Sequence, residues 1–226
     1  MMQITINNKK YPGPSSLGEI TLQMVLDFHN QYGKDIETFQ INSDLDDELM
    51  QMEIRMDLAC KSVAFFFNIP LEIVYKTDLN QVISIFQNVI SPIFEQKQER
   101  TLQDQYYFKD FLWTIQSPKM DNQNEMSFIE LILGKEITRD LKNFGNGKLD
   151  ILQRLSAIYF RKTFRGKTEE FQEDWINEDS ERLQMMAELP MDIVLDVAFF
   201  LQSSMSSFLS TSLFSPNPEV SKTGQI

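Results

Sequence analysis

Histidine and cysteine are almost missing from this chain: His29 and Cys60 are their only representatives in 226 residues. A single cysteine cannot close an internal disulfide. Set in Met-Asp-Leu-Ala-Cys-Lys-Ser-Val-Ala, Cys60 reads as a small apolar filler, suited to a reducing cytoplasm. One histidine without a cysteine cluster cannot complete a zinc site, so neither metal nor cofactor is expected. A cysteine–histidine or serine–histidine pair is arithmetically available, but no strand–turn–helix elbow presents a nucleophile to His29. Gly145-x-Gly147 has no Gly-Lys-Thr after it and no strand before it, and it reads as a hinge rather than a phosphate loop. In the acidic stretch from Asn42 to Glu53, Asp47 stands where a calcium loop needs glycine; the acids suit a helix start instead. No catalytic residue is expected.

Basic side chains are also scarce, 21 against 33 acids, for a formal charge of −12. Such a surface as a whole repels nucleic acid and anionic membrane, although it leaves room for a local patch around Lys148, Arg154, Arg161, Lys162, Arg165 and Lys167. No stretch reaches the roughly 18–20 apolar residues a spanning helix requires, and residues 1–30 hold no basic segment followed by an apolar run. The expectation is a soluble protein with no membrane contact and no direct nucleic-acid contact.

Apolar residues are present in quantity: 42% of the chain, including 18 phenylalanines and 12 methionines, enough for a large core and against intrinsic disorder. Gln3-Ile-Thr-Ile6 alternates as a strand, with a return strand at Lys10-Tyr11 before Pro12-Gly13-Pro14 breaks the pattern. Thr21 is a candidate N-cap for a helix stopped at Gly33. A second helix over 44–68 carries Leu45, Leu49, Met52, Met56, Ala59 or Cys60, and Val63 at three-and-four spacing. A short helix over 71–75 follows, then a longer one over 78–96 that must kink or restart at Pro92. Strand formers fill 105–115 around a Lys109-Asp110 turn, and a helix over 127–133 is stopped by Gly134. The order hairpin, proline, connector, helix thus occurs twice, at 3–33 and 105–134. An amphipathic helix over 149–161, a loop at 164–167, a helix starting in the acidic segment 169–181 and a last helix over 190–213 complete the chain. The fold class is mainly α with small β-hairpins (α+β), divided into 1–100 and 101–214 packed as one unit, with 215–226 as a tail.

Two aromatic clusters exceed what one helix face can hide. Phe65-Phe66-Phe67 covers nearly a full helix circumference, and Phe199 and Phe200 widen the stripe that continues through Met205, Phe208 and Phe214. These eight residues are the sequence's candidates for a partner interface.

The feature order resembles the tail assembly chaperone-like proteins of tailed bacteriophages, including phages of gut Bacteroides and their crAss-like relatives. The resemblance lies in Ile4-Thr-Ile-Asn-Asn-Lys-Lys-Tyr11 leading into Leu17-Gly-Glu-Ile-Thr-Leu22. It continues through Met126-Ser-Phe-Ile-Glu-Leu131, the helix from Leu149 to Arg161, and the segment from Glu188 to Leu201. It implies a non-enzymatic structural or assembly protein that binds tail or portal-region proteins in the virion or the host bacterial cytoplasm; a homo-oligomer is a separate expectation, from the surplus of aromatic helix surface. The charge motivates an alternative, an acidic host-directed protein that mimics nucleic acid or counters host defence.

Overall fold

Alternating Met2–Ile6 forms strand β1, paired antiparallel with β2 (Lys9–Gly13) so that Ile4 lies opposite Tyr11. The computed structural model describes residues 1–6, 8–41, 48–93, 103, 105–116, 130, 132–134, 136 and 150–200. β2 runs through Pro12, which the expected break excluded; in a two-stranded sheet both strands are edges, and an edge tolerates a missing donor. Gly13 closes the strand because a Cβ there would come within 2.1 Å of the Phe67 ring.

Thr21 caps helix α1 (Leu22–Ile41), its hydroxyl accepting from Met24 N at 3.3 Å. The helix does not stop at Gly33. It distorts at Tyr32 (φ −124°, ψ 15°) and continues. Helix α2 (Glu48–Phe66) ends where Ile69-Pro70 forces an extended turn into α3 (Leu71–Val74). Asp78 then caps α4 (Leu79–Ile85), accepting from Gln81 N. The expected proline disturbance is visible in the next two turns: the chain widens into a π turn at Phe86–Ile90 and tightens into a 3-10 turn at Ser91–Ile93.

The second hairpin, β3 (Tyr106–Phe108) and β4 (Phe111–Ile115), is present with its Lys109-Asp110 turn, both residues at positive φ as a two-residue hairpin requires. It is half of a larger sheet. Helix α5 (Asp150–Tyr159) passes without a loop into β5 (Phe160–Phe164), which turns at Arg165-Gly166 into β6 (Lys167–Thr168). The order is β3-β4-β5-β6, all antiparallel. The helix expected to reach 161 therefore ends two residues early, and the expected loop at 164–167 is a strand end and a hairpin turn. The helix expected to start in the acidic segment 169–181 does so only at its last residue: the segment first makes one 3-10 turn (Glu173–Ile176), and Ser180 then caps α6 (Glu181–Ala187).

Residues 191–200 are helical (α7) and begin at a backbone junction between the two ends of the described chain. Leu22 N donates to Leu189 O at 2.9 Å and Met191 N donates to Ile20 O at 2.8 Å, bridging Thr21 and Pro190. The buried apolar residues form one cluster, from Ile4, Phe28 and Phe67 to Trp113, Leu155, Phe160 and Val194. The protein is thus mostly helical α+β, with an N-terminal hairpin and a four-stranded antiparallel sheet. Among the described residues no helix is long and apolar enough to cross a membrane.

Gly134 is itself helical. Its role is steric: a Cβ would lie 1.6 Å from the Tyr159 hydroxyl, whose ring is fully buried. Gly134→Ala is therefore expected to lower stability by about 1–3 kcal/mol through overpacking. Urea unfolding measures this, and an unchanged midpoint would contradict the contact.

Candidate protein-binding groove

The apolar stripe of α2 is covered along only half its length. From Leu58 through Val63 and Phe66 it is buried, whereas Leu49 is 80% and Met52 53% exposed. The exposed half borders a groove of about 710 Å³, walled by Leu49, Met52 and Met56 of α2, by Val74 and Tyr75 at α3, and by Leu79 and Val82 of α4. The local sequence builds this shape. The Ile69-Pro70 break and the Asp78 cap fold α3 and α4 back against α2, with Val74 and Val82 buried beneath them.

Acids mark the rim. Asp35, Glu53 and Asp57 face the groove, and Lys61 ties two of them, at 2.9 Å to Asp35 and 2.7 Å to Asp57. The Tyr75 hydroxyl donates to Asp57 Oδ1. Burial pushes the Asp57 carboxyl up, but the hydrogen bonds from Lys61 and Tyr75 outweigh it and leave the group below its ordinary value. Burial lowers Lys61, and its two carboxylate partners more than reverse that. Tyr75 is pushed up to about 12, first by burial and then by donating to Asp57. Cys60 also lines the groove. Burial and then the Asp57 charge raise its thiol, so it stays protonated and is a poor nucleophile.

Such a groove can take an apolar element flanked by bases. Methionines adapt to the shape of what they cover, and the acidic rim selects the charge beside it. The sequence candidates lie elsewhere. Phe66 (5% exposed) and Phe67 (1%) belong to the chain's own core and present no surface to a partner. Phe65 is half-buried and packs edge-on to Phe28 and Phe66, with centroids at 5.3 and 5.2 Å. Three successive phenylalanines are accommodated because Phe28 of α1 and Gly13 of the first hairpin pack around that end of α2. Phe199 and Phe200 are half-buried on α7, and Phe200 packs against the core. Met205, Phe208 and Phe214 lie outside the described residues. The three-and-four spacing of Leu49, Met52 and Met56 places them on one helix face, and it does not say which half of a stripe is covered.

The Asp57 carboxyl sits below its usual value in the folded state, so its contribution to stability is present above about pH 3.8 and is lost as pH falls through the folded value. Tyr75→Phe removes one donor and is expected to raise the Asp57 midpoint toward the ordinary aspartate range. Carboxyl-carbon NMR titration reads this directly; an unmoved midpoint would remove the Tyr75 hydroxyl as a cause.

Comparison of the chain with protein-family models, with curated proteins and with solved structures found no match in any of the three.

Proposed function

We propose that this chain is a non-enzymatic assembly protein that holds a protein segment in the groove between α2, α3 and α4. One observation carries the reading. A continuous helical apolar stripe leaves Leu49 and Met52 in water beside a formed cavity, where a chain with no partner would gain from polar residues. Burying such side chains contributes about 1.5–3 kcal/mol each, so a few suffice for specific association. In the setting that the phage resemblance implies, the bound chains are tail or portal-region components, this chain's own copies among them, encountered in the virion or in the infected cell.

Site-specific photo-crosslinking from position 52 tests the groove. The expected product is a discrete covalent adduct with a structural protein chain in producing cells. Labelling of solvent alone would overturn the reading. Mass spectrometry of purified particles tests the setting: stoichiometric presence marks a virion component, presence only in infected cells marks an escort, and absence from both removes the phage assignment. Met52→Glu is expected to leave unfolding stability within about 0.5 kcal/mol, since the side chain is half in water. The same change should weaken capture at the groove about tenfold or more, measured by crosslinking yield against concentration with the photoreactive side chain moved to position 49.

A further inference from the structure

The far end of the four-stranded sheet carries the opposite character to the groove. Leu112 lies opposite Thr163, so one further step of the same register sets Phe111 beside Phe164. The turns Lys109-Asp110 and Arg165-Gly166 consequently project from the same end of the sheet, next to each other. Phe164 is 69% and Tyr107 73% exposed, and Phe111 is also exposed. Bases accompany these rings. Lys162 Nζ stands 4.6 Å from the Phe111 centroid and the Arg165 guanidinium 5.0 Å from that of Phe164, with Lys167 in the adjoining strand. Each of the two rings therefore brings its own cation wherever it goes. Asp110 is the one acid in the two turns and Lys109 is paired with Glu188, so Lys162, Arg165 and Lys167 leave the tip locally positive in a chain of net charge −12.

Resting on the reading of the groove as a protein-binding site, we infer that the groove's occupant is the β4–β5 tip of a second copy of this chain. The match is one of shape class and of charge. Two neighbouring aromatic rings are the kind of apolar anchor that an adaptable methionine-lined cavity of about 710 Å³ receives. The cations riding on those rings would arrive at a rim where Asp35, Glu53 and Asp57 outnumber Lys61. The two surfaces belong to separate parts of the fold: α2 packs chiefly on α1, α3 and α4, and the sheet packs chiefly on α5. Joining two different patches makes a heterologous interface, so each bound pair still presents one open tip and one open groove. Such contacts close into a ring or extend as a filament. A single-stranded nucleic acid is less well served by the tip. Tyr107 and Leu112 are cross-strand partners on the sheet face opposite to Phe111, so the exposed rings do not form one flat stacking platform.

Two exposed-site variants and their mixture test the arrangement. Light scattering and sedimentation of the wild-type chain should show a mass that rises with concentration beyond a dimer. Association should weaken at least tenfold when salt is raised to about 1 M, where the screening length falls to roughly 3 Å. Met52→Glu disables the groove and Phe164→Glu disables the tip; each alone should remain monomeric, with an unfolding transition like that of the wild type. An equimolar mixture should form a dimer and stop there, because only one intact tip and one intact groove remain to meet. A wild type that is monomeric at every concentration overturns the inference, as does a mixture that fails to pair, or either variant associating by itself. An oligonucleotide retained by the tip in place of a second copy overturns it too. In those cases an adduct formed from position 52 with a different protein would still uphold the groove as a protein-binding site, so the two readings fail separately.

Discussion

Two guanidinium groups inside the protein fix how its C-terminal half is arranged. Arg161 and Arg182 are both buried, and each is met by a carboxylate at 2.7 Å, Glu130 for the first and Glu169 for the second. Arg182 lies between two indoles, 4.6 Å from Trp113 and 4.3 Å from Trp175, and donates to the carbonyl of Phe160. Arg161 donates to the carbonyls of Ile158 and Glu169 and faces Phe171 and Trp175. Burial lowers Arg182 and the Glu169 charge offsets part of that. A buried ion pair adds little over well-packed apolar groups, but losing one partner strands a charge at a cost of about 3–5 kcal/mol. The cluster thus acts as a constraint on geometry. The helix turn at residue 130, the α5–β5 junction, the segment after β6 and the start of α6 must all be in place together for each charge to find its mate.

That constraint explains the abrupt passage from α5 to β5. An amphipathic pattern running to Arg161 gives no local reason to end at Tyr159, and Phe160-Arg-Lys-Thr-Phe164 is too short to announce a strand against it. The period-two spacing of Phe160, Lys162 and Phe164, followed by Arg165-Gly166, was the signal, and the preceding helix masked it. Where a decision is made by neighbours in sequence, the chain is readable: Thr21 caps, Lys109-Asp110 turns, and Pro92 disturbs its helix. Gly33 misleads as a helix stop, because α1 distorts beside it and continues. For Gly134 the deciding neighbour is Tyr159, which is close in space and remote along the chain.

The two clusters of apolar surplus divide on the same principle. Phe65, Phe66 and Phe67 look excessive for one helix until Phe28 and Gly13 are seen around them. The modest Leu49 and Met52, which continue the same helical stripe, are exposed. Periodicity identifies the face of a helix; it carries no information about how far along that face the covering extends. Charge behaves likewise. A net −12 is a property of the whole surface, and the sheet tip shows that a few strand positions can hold a local field of the other sign.

The small bridge between Thr21 and Pro190 bears on the order in which the molecule can be made. Leu22 N and Ile20 O find their partners only in Leu189 and Met191, nearly the full described length away. During synthesis, the hairpin and α1 leave the ribosome long before those partners exist, so these backbone groups stay hydrated and part of the future core stays in water. Closure is a late event that completes the cooperative unit, and a chain interrupted before residue 189 would carry its opening segments without their clasp.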